Sequence, residues 1–444
     1  MTPITLYTKN PHYVQFRGQP TILMASGEHY GALLNGAFDY HTYFDTLARA
    51  GLNLTRIFTG TYREIPGEFN IADNMLAPQP ADFICPWPQT ADGKFDLSRF
   101  NDAYFARLHD LMHYASDKGI VVELVFFCFW YNQPLWDYSP LHPANNVQGI
   151  GPTDKELVFD LSSTAMIAVQ TELVRKLVTT LNGFDNLYYE ICNEPYSHHD
   201  HSTFLEWQNY LAEVVVETEA ALPHRHLIAR NVQNNTLRVT DLHPAFSIVN
   251  FHYALPEAAH WNYHLNLVLA DDETGFAGQS ATPYRKEAWQ FLLAGGGIYS
   301  HLDYSFTVNQ PDGTYADWQQ TPGYGGPDLR NQLAFLRRFL EEHQVWTLAP
   351  HNESCPSSRG AMHVHVMADP GRLYLIYLNQ QPPENRLVVN LPAGSYTIQW
   401  IDPVACQTLH METRAHAGSR LPLTPPSGVD DLVLVVQKQA GLHP

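Results

Sequence analysis

The sequence predicts an α/β chain: a (β/α)8 TIM barrel followed by an all-β sandwich. Three observations carry this. Eight apolar, β-rich runs alternate with helical patterns through residues 20–345, the signature of parallel strands joined by crossover helices. The runs are nearly continuous in apolar residues, as expected of strands covered on both faces. After Pro350 the helical period stops and short alternating strands follow. The expected division is a barrel over residues 1–348 and an accessory β-sandwich over 349–444.

The first strand is read at 21–25. Its end, Ser26-Gly27-Glu28-His29-Tyr30, lacks the Gly-rich phosphate loop that would favour a doubly wound open sheet. A helix at 39–50 leads to strand two at 52–58, then a long connection over 59–100. The helix at 101–118 sets Tyr104, Leu108, Leu111, Met112 and Ala115 on one face and stops at Gly119. Strand three at 120–129 is followed by a second long connection, 130–164. The helix at 163–182 repeats Met166, Val169, Leu173, Leu177 and Leu181, and ends at Gly183. Strand four lies at 187–192. The helix at 202–220 carries Phe204, Trp207, Leu211 and Val215 before Pro223. These three helices start at Ser or Asn, suited to capping. Strands five to eight fall at 226–229, 246–251, 265–270 and 297–304, with a last helix at 328–343. Sandwich strands are read at 363–367, 373–378, 387–391, 396–401 and 432–436, separated by turns such as Asp369-Pro370-Gly371. In a barrel, the two long connections rise from the C-terminal strand ends, where sites are built.

Composition narrows the ligand. With 26 Lys+Arg against 45 Asp+Glu the net charge is −19, which argues against nucleic acid and anionic membranes as partners. Hydrophobic residues at 45% exclude intrinsic disorder. No run approaches the ~18 apolar residues of a membrane helix, and the N-terminus lacks the pattern of a secretory signal. Five scattered cysteines with no C-x-x-C pair suggest reduced thiols and a cytoplasmic protein.

Strand four ends in Asn193-Glu194-Pro195. Proline cannot continue a ladder, so Glu194 falls at the lip of the barrel. A carboxyl facing aromatic walls there has its ionisation disfavoured, as a general acid requires. Strand seven runs into Asp271-Asp272-Glu273. Alternation places Asp271 and Glu273 on one face and Asp272 on the other. Glu273 is the first choice for a second reacting carboxylate, and Asp271 the second. Glu28, His29 and Tyr30 at the end of strand one are positioned to line a pocket, with Glu28 accepting hydrogen bonds from a ligand. Trp87, Trp130, Tyr131 and Trp136 in the long loops offer stacking faces.

An Asn-Glu closing strand four and a Glu closing strand seven resemble the retaining glycoside hydrolases of clan A, nearest to the cellulase-type enzymes. The resemblance covers roughly residues 10–345. It implies Glu194 as acid/base and Glu273 as nucleophile in a double displacement on a β-linked glycoside or oligosaccharide, with no metal or cofactor. Arg56 is similar to the strand-two Arg that supports the nucleophile's charge, and Asn193 to the residue that binds the sugar 2-hydroxyl. The family's strand-six His and Tyr stand two apart; here His252 and Tyr253 are adjacent, so one of them is expected to face the site. No Trp closes strand eight, where Tyr304, Phe306 or Trp318 takes its place as the sugar platform. The family's His after strand three is absent from 126–130. These departures mark a distant or separate family.

Two other readings compete. A non-catalytic carbohydrate-binding barrel would use the acids as hydroxyl ligands. A metal-dependent hydrolase would draw on the histidine clusters 198, 199 and 201, 224 and 226, or 363 and 365, although no His-Glu-x-x-His helix exists. The expected partner is a carbohydrate, processed from a chain end, and oligomeric state is left open.

Overall fold

The computed structural model describes residues 2–196, 201–317, 321–356, 364–380 and 386–439, with the side chain of residue 201 outside that set. Eight strands form its inner sheet: β1 Leu23–Gly27, β2 Leu54–Phe58, β3 Val121–Cys128, β4 Leu187–Asn193, β5 Ile228–Asn231, β6 Ile248–His252, β7 Val268–Glu273 and β8 Ile298–Leu302. Neighbours from β2 to β8 pair in parallel, and β8 pairs back onto β1. Every residue of all eight is buried, which explains the unbroken apolar runs. Strand seven begins three residues later than expected, because residues 263–265 form a 3-10 turn and Asn266 is left-handed, φ 53°.

The β1–β2 seam closes differently. Asn53 donates its backbone N–H to the Met24 carbonyl at 3.2 Å. Its side chain accepts from the Met24 N–H and donates to the Ile22 carbonyl, both at 2.9 Å. Above it, the Tyr43 hydroxyl lies 2.8 Å from Thr55 Oγ1.

Seven helices of the outer layer are α1 Tyr40–Ala50, α2 Asp102–Asp117, α3 Thr164–Leu181, α4 His201–Ala220, α5 Pro256–Asn262, α6 Ala281–Leu293 and α7 Pro327–Glu342. Asp39 caps α1 and Asn101 caps α2 through side-chain oxygens. Gly51 ends α1 at φ 83°, a conformation that glycine adopts without strain. Ser163 precedes α3 but makes no cap bond; its hydroxyl turns to the Leu157 carbonyl. A short antiparallel sheet, residues 5–6, 14–16 and 19–21, covers the bottom of the barrel, where Ile4 and Val14 pack on Leu23, Leu54 and Val121.

The C-terminal region is antiparallel. Its strands are β9 Val364–Asp369, β10 Leu373–Leu378, β11 Leu387–Leu391, β12 Gly394–Asp402, β13 Gln407–His416, β14 Ser419–Leu423 and β15 Leu432–Lys438. Residues 349–350 and β9, β10, β15, β12 and β13 make one sheet, in that order; β11 and β14 make the other. Alternation divides the larger sheet. Val366, Ile376, Ile398 and Leu434 face the smaller sheet, while Met367, Leu375, Tyr377 and Val433 join the barrel's core. Trp289 of α6 stacks on Tyr377 at 5.5 Å and 11°. Beside it Asp431 receives Arg285 at 2.8 Å and the Tyr377 hydroxyl at 2.8 Å. None of the five cysteines is in a disulfide. No helix of the described residues is long and apolar enough to cross a membrane.

Removing one member of a buried ion pair leaves the other charge without compensation. Asp431→Ala should therefore destabilise the protein by about 3 kcal/mol, read as a lower urea midpoint in an unfolding titration.

Candidate active site

Three strand ends share one backbone device. Tyr30, Glu194 and Tyr253 follow β1, β4 and β6 with φ of 57°, 46° and 51°, values uncommon for any residue but glycine. Along a strand, neighbouring side chains point to opposite faces. A left-handed residue just past the strand cancels that alternation. Asn193, Glu194 and Tyr253 therefore all line the cavity, while His252 stays buried behind it, against Glu194. Of the two strand-six residues, one was expected to face the site: Tyr253 lines the cavity, and His252 meets the two carboxylates from behind it. His252 Nδ1 lies 3.2 Å from Glu194 Oε1, and the Tyr253 hydroxyl donates to Glu273 Oε1 at 2.7 Å.

β7 reaches the same result through a bulge. Asp271 pairs with Phe251, yet Glu273 pairs with the next residue, His252. The extra residue turns Asp272 inward beside Glu273. This corrects the expected alternation: Asp271 faces outward and accepts the Ala254 N–H at 3.3 Å, so it is no candidate for a reacting group.

Beneath the cavity lies a buried cluster around Arg56. Its Nη2 donates to Glu190 at 2.6 and 2.8 Å and to Asn193 Oδ1 at 2.8 Å. Its Nη1 meets Glu273 Oε2 at 3.3 Å, and its Nε lies 3.1 Å from Asp272 Oδ2. Asn250 Nδ2 donates at 2.6 Å to both Glu123 and Glu190, and Tyr188 donates to Glu123 at 2.8 Å. Burial pushes the Glu123 carboxyl up to about 8, helped by the neighbouring Glu190. Burial opposes charge on Glu190 as well, but Arg56 outweighs it and lowers the pKa. At Asp272 burial prevails over Arg56 and the pKa is raised well above the usual carboxylate range.

Glu194 departs from expectation. Burial does disfavour its charge. Even so, the contact with His252 and hydrogen bonds from Tyr131 at 2.5 Å and Tyr196 at 2.8 Å hold the pKa at about 2. Asn234 adds a donor at 3.0 Å. The resting site thus presents Glu194 as an anion, where the sequence suggested a carboxyl already held neutral. One oxygen of Glu194, one of Glu273 and a ring nitrogen of His252 all lie within 4.8 Å of one another.

Above these groups is a cavity of about 370 Å³, at the small end of ligand pockets. Its walls are aromatic: Tyr30, Phe58, Tyr62, Phe69, Tyr131, Tyr196, Tyr253 and Phe276. His29 and Glu64 form a polar face, 3.3 Å apart. Burial favours the neutral His29 ring, but Glu64 overrides this and raises its pKa. Glu64 also receives Tyr62 at 3.1 Å and Asn74 at 2.5 Å.

Other expected ligands sit elsewhere. Glu28 folds back to accept the N–H groups of Gly31 and Ala32 at 2.8 and 3.1 Å, so it braces its loop and does not meet the cavity. Trp130 is fully buried against Trp136 and Phe159, outside the cavity wall; the next residue, Tyr131, takes its place. Trp87 is also buried, away from the cavity. Tyr304 stands one layer back, its ring edge-on to Phe276 at 6.3 Å and 6.4 Å from His29. Phe306 packs on Tyr43, and Trp318 lies outside the described residues. Glu64, Tyr196, Asn234 and Phe276 escaped the sequence reading; all four lie on connections between strands, where no periodicity marks them.

Two trios could offer ligands to a metal: Glu194, His252 and Glu273, and Glu123, Glu190 and Asp272. The Arg56 guanidinium already contacts all three acids of the second. In the first, hydroxyl and amide donors are already turned onto Glu194. The donor set therefore suits protons and a guanidinium better than a metal ion. Of the histidine clusters, His226 is held between Glu219 and the Phe184 carbonyl. His198, His199 and His363, and the side chain of His201, lie outside the described residues.

No family model matches the chain, and no curated protein does. Among solved structures it is similar to a glycoside hydrolase family 5 protein from Bacteroides vulgatus, with TM-score 0.68 and 11% identity over 100% of this chain and 95% of that one. It is similar to a second glycoside hydrolase, with TM-score 0.66 and 12% identity over 99% and 97%. An endo-1,4-β-mannanase from Rhizomucor miehei matches with TM-score 0.52 and 13% identity over 77% and 100%. At these identities the likeness is one of fold: a TIM barrel, carrying its sandwich in the longer matches.

Behind β7, Glu287 of α6 accepts from Thr274 at 2.6 Å, and burial raises it to about 7 from 4.5. The folded state thus favours the neutral carboxyl. Its contribution to stability is complete below pH 4.5 and is lost as pH rises through 7. Glu287→Gln mimics the neutral form. Between these limits, wild type should lose about 3 kcal/mol more unfolding free energy than the variant, measured by urea titration across pH.

Proposed function

We propose that this protein is a retaining glycoside hydrolase acting on a β-linked sugar, with Glu273 as nucleophile and Glu194 as acid/base. One observation carries the reading: two glutamates at the C-terminal ends of β4 and β7 place carboxylate oxygens within 4.8 Å of each other and of His252, at the floor of an aromatic cavity. Double displacement requires carboxyls ~5–5.5 Å apart, whereas inversion needs room for a water between them.

The two carboxylates have different surroundings. Glu273 is oriented by Arg56 and Tyr253, which leaves its charge aimed upward for attack on the anomeric carbon. Glu194 is ringed by groups that exchange protons or hydrogen bonds, as suits a residue that gives a proton in the first step and takes one from water in the second. Asn193, pinned by Arg56 and Tyr131, stands beside the sugar. The aromatic walls suit the C–H faces of a neutral sugar. The polar face of His29 and Glu64 offers hydrogen-bonding groups to sugar hydroxyls. Because one structural neighbour is described as a β-mannanase, β-mannosides belong first in the substrate panel.

Glu194→Gln and Glu273→Gln should each lower kcat/KM by on the order of a thousandfold or more with the fold intact, measured on an unsubstituted phenyl glycoside alongside circular dichroism. A 2-fluoro-glycoside should leave an ester on Glu273, located by peptide mass spectrometry. Sugar binding without turnover or label would instead indicate a carbohydrate-binding barrel.

A further inference from the structure

Asp272 has no task in two-glutamate chemistry, yet it is fully buried beside Glu273 and against His252, which touches Glu194. Its Oδ1 lies 3.4 Å from His252 Nε2; the two atoms face each other without forming a hydrogen bond, and neither has a hydrogen-bond partner among the described residues. The opposite ring nitrogen, Nδ1, is 3.2 Å from Glu194 Oε1. One imidazole therefore bridges two carboxyls. Their surroundings push them in opposite directions. Burial raises Asp272 despite Arg56, whereas at Glu194 burial is outweighed by His252, Tyr131 and Tyr196. These opposite directions favour a proton on Asp272 and a negative charge on Glu194. That is the wrong state for a residue that must protonate a leaving group.

We propose that Asp272 is a proton-storing positioning residue, which passes its proton through the His252 ring to Glu194 when a glycoside fills the cavity. The inference rests on the glycosidase reading above. In the transfer, the Asp272 O–H bond breaks as His252 Nε2–H forms, and His252 Nδ1–H breaks as Glu194 Oε1–H forms. Starting from a neutral ring, the trio carries a single negative charge before and after, so no co-reactant is needed. The charge ends on Asp272, where Arg56 Nε at 3.1 Å receives it. The other charged or titratable groups facing Asp272 are Glu123 of β3, Glu190 and Tyr188 of β4, Tyr30 past the end of β1 and Glu273 beside it. A leaving group seated against Glu194 displaces the hydroxyls of Tyr131 and Tyr196, and with them part of what holds its anion. After the leaving oxygen departs with the proton, the attacking water restores it to Glu194. The ring then returns it to Asp272 when product leaves.

Asp272→Asn tests this, because the amide keeps the shape and can still donate to His252 Nε2 but has no proton to pass on. The measurement is kcat/KM on a series of aryl glycosides, from 2,4-dinitrophenyl to unsubstituted phenyl. A dinitrophenolate leaves without acid help; a phenolate does not. Relative to wild type, the phenyl-to-dinitrophenyl ratio should fall by about tenfold or more, and His252→Gln, which cuts the same route, should show the same bias. An equal loss on every leaving group, or no loss, would overturn the relay and leave Asp272 as a packing residue. Should the Asn variant fail to fold, the His252→Gln series decides alone. Wild type inert toward every glycoside would overturn the glycosidase reading together with the relay.

Discussion

Arg56 reaches acids from three other strands: Glu123 of β3, Glu190 of β4 and the adjacent Asp272 and Glu273 of β7. Gathering four carboxyls out of water is costly, and one guanidinium cannot neutralise four charges. The cluster resolves this by sharing protons. Glu190, closest to the guanidinium, stays ionised; Glu123 and Asp272 are pushed toward their neutral forms. Burial is the main force toward the neutral forms, and a single cation is too few to reverse it at Glu123 and Asp272. Tyr30 and Phe58 stack over the same guanidinium, at 4.8 and 5.7 Å, and line the cavity above it. The floor and one wall of the site therefore depend on one side chain.

The geometry of the two glutamates comes from backbone exceptions, and these explain what the sequence could and could not reveal. Glu194 and Glu273 were legible because strand-end position follows from apolar runs, a Pro stop and a cluster of acids. Their immediate partners were harder. Left-handed Glu194 and Tyr253 carry no glycine signature, so a period-two reading places one of each adjacent pair outside. The bulge at Asp272 inverted the expected face for the same reason: a single inserted residue leaves no compositional trace.

The eight strands and most of the crossover helices were legible because burial on both faces and a 3.6-residue period write themselves into long stretches. The long loops were legible only as aromatic-rich. Trp130 and Tyr131 are neighbours of similar character, and which of them faces the cavity is set by packing against Trp136 and Phe159. One signal did stand out in retrospect: Arg56, Glu123 and Glu190 interrupt otherwise apolar strands. A charge in the middle of a doubly covered strand needs a partner inside the barrel, and three such charges mark a shared interior cluster.

The seam at Asn53 has a consequence for how the chain is made. β1 pairs over five residues with β8, Leu23 opposite Ile298, but forms no ladder with its sequence neighbour β2 among the described residues, and Asn53 bridges that seam. During synthesis the first strand emerges long before the strand that holds it, and closing so distant a pair is slow. Until β8 arrives, an apolar edge stays open, the kind of surface that chaperones bind and that aggregates when they do not. The order of translation thus makes the first barrel strand among the last to be locked in place.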